Sequence, residues 1–242
     1  MPTPPDAWVD AVARRYAPAG RFARAYARAK LRRDPIFAAL LRQGLLPESG
    51  RLLDAGCGQG MLLTALAVTR EPEVSARWPA DWPKPPAALE LTGIERDPKD
   101  AERARAALRG AGRIVTADLR EAILPRSDVV ALVDVIHYLE PAAQETLLRR
   151  VCAALAPGGL LLLRICDADA GVRAVLTRAG DHLGVFTRRG RVGRLHLRSA
   201  AAWSALLRGA GLAVEAVPMA EGTPFANVLL LGRANPAGSR AP

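Results

Sequence analysis

The sequence predicts an α/β fold built on a mostly parallel sheet of seven strands, with helices on both faces and a helical extension at the amino terminus. Three observations predict it. From Arg51 onward, short apolar runs alternate with segments of helical composition, the signature of βαβ units. The first apolar run ends directly in a glycine array, DAGCGQG over residues 54–60, where a strand must turn tightly into a helix. The length of 242 residues, half of them hydrophobic, suits one α/β domain with a modest extension.

The strands are expected at Arg51–Asp54, Glu90–Glu95, Ile114–Ala117, Val129–Asp134, Leu160–Ile165, Ala213–Val217 and Asn227–Gly232. Between them, helices are clearest at Met61–Ala67, Pro98–Arg109, Pro141–Leu155 and Ser199–Gly209, with Pro157-Gly158-Gly159 as the stop signal after the third. Ahead of the sheet, Asp6–Tyr16 and Ala19–Arg33 have helical composition and are each followed by a breaker, Pro18 and then Asp34-Pro35. In the second of these helices Arg21, Arg24, Arg28 and Arg32 share one side, and Phe22, Tyr26 and Ala29 form a stripe on another. It reads either as a surface helix packed by Phe22 and Tyr26 or as a lid over a ligand site, with Lys30 or a neighbouring arginine meeting an anion.

The expected organisation is a helical extension or lid over residues 1–49, one α/β domain over 50–234 and a disordered tail over 235–242. Two insertions interrupt the domain. Residues 70–88, rich in proline and carrying Trp78 and Trp82, read as a surface loop that its prolines keep extended rather than helical. Residues 167–197 leave the carboxyl end of a strand, where open α/β sheets bind ligands, and carry Arg173, Arg178, Arg188, Arg189, Arg191 and Arg194.

Composition narrows the function classes. The formal charge of +10 admits nucleic acid, an anionic surface or an acidic partner. Lysine occurs only at Lys30, Lys84 and Lys99, so the basic balance is almost entirely arginine and equally reflects compositional bias. The strongest apolar stretch, GGLLLLRIC, is broken by Arg164 and falls short of the roughly 18 residues a membrane span needs. With no signal-like amino terminus, the cytoplasm is the expected compartment. Cys57, Cys152 and Cys166 lack the paired spacing of a metal site or a disulfide framework and read as packed thiols.

The chemistry concentrates in LLDAGCGQG, where Asp54, Gly56, Gly58 and Gly60 form a D-x-G-x-G-x-G array. Glycines there tolerate positive φ and let a flat nucleoside approach the backbone. In the dinucleotide-binding pattern the third glycine would fall at Met61; here it is Gly60. This segment resembles motif I of class I S-adenosylmethionine-dependent methyltransferases, and the resemblance continues downstream over nearly the whole chain after Gly50. Within it, Glu95 in LTGIERDP stands where the family has the acid that accepts hydrogen bonds from the ribose hydroxyls. Asp118 in TADLRE stands where an acid meets the adenine amino group, beside the Leu119 backbone. In LVDVIHYLEP, Asp134 and His137 lie at the edge that closes the cofactor floor and reaches towards the acceptor. The final helix and two apolar strands resemble the family's last hairpin, which implies a Rossmann-like sheet with an antiparallel seventh strand. A second, local resemblance, in AKLRRDPIF, is to bacterial methyltransferases of aryl-polyene or polyketide-like pathways.

The resemblance implies an enzyme that moves a methyl group from S-adenosylmethionine to a small-molecule or carrier-bound acceptor, an aromatic or polyketide-like metabolite. For a hydroxyl acceptor, His137 is the candidate base because imidazole titrates near neutrality; the alternative is a packed or cofactor-facing histidine. His182 and His196 lie in the arginine-rich insertion, whose cationic cluster would suit a carboxylate, a phosphate or an acidic carrier protein; solvated loop arginines are the other account. An RNA-modifying enzyme and a non-catalytic module on the same fold are the competing functions. DVIHY replaces the N-P-P-Y or D-P-P-Y segment of amino-methylating nucleic-acid enzymes, which argues against a nucleic-acid partner of that kind.

Overall fold

The computed structural model describes residues 4–170, 195–220 and 226–236. Its strands are β1 Ser49–Ala55, β2 Ala88–Glu95, β3 Arg113–Thr116, β4 Ser127–Val133, β5 Leu155–Cys166, β6 Ala213–Pro218 and β7 Asn227–Arg233. They form a seven-stranded sheet in the order β3-β2-β1-β4-β5-β7-β6, with β7 antiparallel to both β5 and β6. The chain divides into two compact units, Met1–Ile123 and Leu124–Pro242.

In the first unit β1, β2 and β3 are parallel, with Asp54 opposite Gly93 and Gly93 opposite Ile114. The helices are α1 Asp6–Arg15, α2 Arg21–Arg33, α3 Pro35–Arg42, α4 Met61–Ala67, the single turn α5 Pro72–Ser75, and α6 Pro98–Leu108. Helix α1 belongs to the core: Trp8, Val9, Val12 and Tyr16 are buried, and the Trp8 indole N–H donates to the Ala65 carbonyl at 2.7 Å. Arg15 fastens the other end of α1, bonding Glu71 and the carbonyls of Ala107 and Leu108, which end α6 with no helical partner of their own. Helix α2 lies on α1 through the ion pairs Arg28–Asp10 and Arg32–Asp6.

Three expectations for this unit are corrected. Three helices precede β1, not two, because Asp34-Pro35 ends α2 and at once starts α3: the Asp34 carboxylate accepts the Ile36 N–H at 3.2 Å, and proline suits the first helical position. The inward residues of α2 are Ala27 and Leu31, whereas Phe22 is 80% exposed, so Phe22 does not pack the helix. Residues 70–88 are not uniformly extended. Pro72 opens a helical turn in which Val74 is buried, and Trp82 is buried further on.

The second unit holds β4 to β7 with α7 Pro141–Ala154 and α8 Ala200–Gly209. Its core is the buried run Leu160–Ile165 with Trp203 and Leu207. The stop signal after α7 acts differently from expectation: Leu155 already turns extended, and Pro157-Gly158-Gly159 falls inside β5, where the pairing with β4 jumps from Ser127↔Leu155 to Val129↔Leu160. Fully buried Gln144 ties α7 to the segment before α8, donating to the carbonyls of Leu139 and His196 and accepting from Arg198. Ser199 and Asp167 together cap α8, accepting from Ala202 and Ala200 N–H. Among the described residues no helix is long and apolar enough to cross a membrane, and no cluster of His, Cys, Asp and Glu is arranged to hold a metal.

Candidate active site

The glycine turn joins β1 to α4. Gly56, Gly58 and Gly60 have φ of 84°, 55° and 72°, and the N–H groups of Gly56 and Cys57 both donate to the Ile94 carbonyl at 2.8 and 3.0 Å. The turn is therefore stitched to the end of β2. A Cβ on Gly60 would lie 2.9 Å from the Ala104 Cβ, so a bare backbone is required for α6 to approach. A Cβ on Gly58 would meet nothing within 4 Å, which marks the open side of the turn.

Glu95, the last residue of β2 and buried, faces that side. One carboxylate oxygen accepts the Gly58 N–H at 2.9 Å and the other the Asp97 N–H at 2.8 Å. Asp54, at the end of β1, is 3% exposed, and burial, reinforced by the neighbouring Glu95 charge, pushes its pKa up to about 7. The turn thus holds two acids close together in a poorly solvated place.

This placement has a measurable consequence for stability. Because the folded pKa of Asp54 lies above that of an unfolded aspartate, the native state binds more protons between roughly pH 4 and pH 7, and stability falls as pH rises through that window. Replacing Asp54 by Asn is expected to flatten this part of the curve of unfolding free energy against pH; an unchanged slope in denaturant titrations at pH 5, 6 and 7 would contradict it.

Asp118 follows β3, whose end is joined to β2 by the Ala117 N–H to Glu95 carbonyl bond of 3.0 Å. Its carboxylate is gripped by the Arg120 guanidinium at 3.0 and 2.7 Å and by the Arg120 N–H at 2.9 Å, which holds its pKa down at about 2. Leu119 beside it is buried. Lys30 sits on α2 with its ammonium 2.6 Å from Asp34. The structure therefore gathers Asp54, Gly56, Gly58, Gly60 and Glu95 into one turn, sets Asp118 and Leu119 on the adjacent strand end, and ties Lys30 to a helix cap.

Two contributors to the turn have no signal in the sequence. The Tyr16 hydroxyl donates to the Gln59 carbonyl at 2.9 Å, lies 3.3 Å from the Thr64 hydroxyl, and is held neutral by burial. The Gln59 side chain in turn reaches Asp100 at 3.2 Å. No spacing rule links a residue of the first helix to a turn more than 40 positions later.

In the second unit, Asp134 follows β4 with φ of 55°, a conformation that Asp tolerates better than most residues. Arg164 of β5, 1% exposed, grips its carboxylate: Nε donates at 2.8 Å and Nη2 meets the other oxygen. His137 is buried, and burial lowers its pKa, with Asp134 opposing and Arg164 adding to the shift. The ring is therefore neutral near pH 7. The His137 carbonyl accepts the His196 N–H at 2.9 Å, and the His196 ring lies 3.1 Å from Glu140. His182 and the six insertion arginines, Arg173 to Arg194, lie outside the described residues.

A 3-2-1-4-5-7-6 sheet with an antiparallel β7, together with a glycine turn facing an acid at the end of β2, defines the class I methyltransferase fold. A model of the family described as "Methyltransferase domain" matches residues 23–217, and the chain belongs to this family. Among solved structures it is similar to the mitomycin 7-O-methyltransferase MmcR, at 23% identity over 90% of this chain and 58% of that one, with a TM-score of 0.60. It is also similar to SibL, an S-adenosylmethionine-dependent methyltransferase, at 23% identity over 88% of this chain and 57% of that one, with a TM-score of 0.61. For an O-methyltransferase family protein from Burkholderia thailandensis the values are 18%, 90%, 62% and 0.62. At these identities the likeness is one of fold, and the chain spans 57–62% of the length of these three proteins. No curated protein matches the chain by sequence.

Proposed function

We propose that this protein methylates a small-molecule acceptor, an aromatic or polyketide-like metabolite presented free or on an acidic carrier protein. The observation that carries the cofactor half of this reading is the pairing of Glu95 with the Gly58 N–H beside the buried Asp54. S-adenosylmethionine supplies an electrophilic methyl group on a positively charged sulfonium. A turn lined by two carboxylates, with open space over Gly58, suits a cationic nucleoside. A carboxylate offers about four acceptor positions, so Glu95 can keep both backbone bonds while sugar hydroxyls donate to it. Asp54, Gly56, Gly58, Gly60 and Glu95 are thus the proposed cradle, with Asp118 and Leu119 at the base. Asp134 and Lys30 would reach the cofactor only by sharing a carboxylate or an ammonium already engaged with Arg164 and with Asp34.

Binding of a cation favours the ionised form of Asp54. Affinity for S-adenosylmethionine is therefore expected to rise by up to about tenfold from pH 6 to pH 8 and to level off above the Asp54 pKa of about 7. The product S-adenosylhomocysteine, whose thioether sulfur carries no charge, should show a weaker trend, and Asp54→Asn should abolish the difference. Calorimetric titrations of both ligands across this range test it; parallel pH curves would remove Asp54 from cofactor recognition.

The acceptor half is supported by a structural neighbour that is a mitomycin 7-O-methyltransferase, and by the neutral state of His137. A neutral imidazole can accept a hydroxyl proton, although its lowered basicity makes it a modest base. Incubation with labelled cofactor and fractionated cell extract, followed by mass analysis, identifies the acceptor. With that acceptor, His137→Ala is expected to lower kcat by about 100-fold while leaving S-adenosylhomocysteine affinity nearly unchanged. Unaltered turnover across pH would give His137 a packing role instead. Labelling confined to RNA would overturn the small-molecule reading.

A further inference from the structure

The insertion between α5 and β2 forms, with Thr69 and Arg70, an open-sided cavity of about 590 Å³, within the range of small-molecule sites. It lies at the opposite end of β2 from the glycine turn. Its walls run from Thr69 and Arg70, which follow α4, to Ala87, which precedes the first residue of β2, and Arg70 Nη2 donates to the Leu89 carbonyl at 2.6 Å. Glu95 ends the same eight-residue strand, about 23 Å away at the usual rise per residue. Open α/β sheets work at the carboxyl ends of their strands, so this cavity is separate from the methyl-transfer site.

Its lining is chemically one-sided. Trp78 and Trp82 stand edge to face, with ring centroids 5.8 Å apart and planes at 89°, and the Trp78 indole N–H is fixed to the Pro83 carbonyl at 2.9 Å. Pro79, Pro85 and Pro86 add flat, rigid apolar surface. The charged side chains of the lining are Arg70 and Lys84; among the described residues no acid lines the cavity and neither cation has a carboxylate partner. Stacking surface beside two cations without counter-ions recognises a flat ring that bears an anion.

We propose that this cavity is a second ligand site of the protein, remote from the cofactor, and that it takes a planar aromatic carboxylate. The rigid indole and proline walls hold the ring, and Arg70 and Lys84 meet the carboxylate. The probe is 1-naphthoate, with 1-naphthylmethanol as its neutral counterpart and acetate as its anion without a ring. Calorimetry should give one site with a dissociation constant on the order of 0.1 mM, the strength of about thirteen non-hydrogen atoms at ordinary ligand efficiency. Tryptophan emission should be quenched over the same range.

The neutral alcohol should bind about fivefold more weakly, and acetate should give no heat. Trp78→Ala should weaken naphthoate about tenfold. Lys84→Gln, at an exposed position that leaves the fold intact, should weaken it about threefold. Saturation with S-adenosylhomocysteine should leave naphthoate affinity unchanged. The proposal is overturned by absence of naphthoate binding, by equal affinity for the alcohol, by affinity that ignores both variants, or by displacement of naphthoate by S-adenosylhomocysteine. Self-association in sedimentation that disappears in Trp78→Ala would also overturn it, because the cavity would then serve a second copy of the chain.

Discussion

Replacing Glu95 by Gln is expected to lower the affinity for S-adenosylhomocysteine by about two orders of magnitude, which corresponds to roughly 3 kcal/mol, the upper range for hydrogen bonds to a charged group. Both oxygens of Glu95 accept backbone N–H groups, from Gly58 and from Asp97. The amide of Gln keeps one acceptor and turns the other into a donor that faces an N–H. Either the Gly58 end or the Asp97 end of the turn must then let go, and the ligand loses a charged acceptor as well as a shaped loop. Glu90→Gln is the control, since Glu90 is exposed on the same strand and should change nothing. Calorimetric titration of the two variants decides the matter, and retention of wild-type affinity in Glu95→Gln would detach this acid from cofactor binding.

Asp134→Asn is expected to destabilise the protein by about 2–3 kcal/mol, which lowers the melting temperature by roughly 5–10 °C for a chain of this size. The reason is Arg164. Its side chain is 1% exposed and its guanidinium is gripped by Asp134, so an amide at position 134 removes a carboxylate that faces a buried cation. Breaking a fully buried pair costs about 3–5 kcal/mol, and the cost is smaller here because Asp134 is itself 33% exposed. Asn is the informative substitution. It tolerates the φ of 55° as well as Asp does, so the backbone contributes little and the charge carries the effect. Adding Arg164→Met should recover a large part of the loss, since the buried charge is then removed as well. Thermal unfolding of the single and double variants tests both statements; a single variant as stable as the wild type would show that Arg164 has sufficient other partners.

Much of the fold is visible in one dimension because its signals are local. Met61–Ala67 is a helix at both of its expected ends, and each expected strand overlaps an observed one, because apolar runs and glycine or proline punctuation act within a few residues. The same holds for the glycine turn, whose positive φ values are a property of three residues and their neighbours. The sequence is ambiguous where a residue or residue pair carries two meanings. Asp34-Pro35 reads as a break after α2 and is equally the start of α3. Arg164 interrupts an apolar run, yet it is buried, because a carboxylate 30 positions away neutralises it.

By itself the sequence determined the strand and helix pattern, the glycine spacing that separates Gly60 from a dinucleotide motif, and the acid placed at the end of the second strand. Only the tertiary structure decided which groups share low-dielectric space. It set Asp54 beside Glu95, Tyr16 against Gln59, Arg164 on Asp134, and Trp78 across from Trp82. Periodicity and turn chemistry are short-range and survive in the string of residues, whereas desolvation and ion pairing depend on distances in space between groups that the chain brings together only once it has folded.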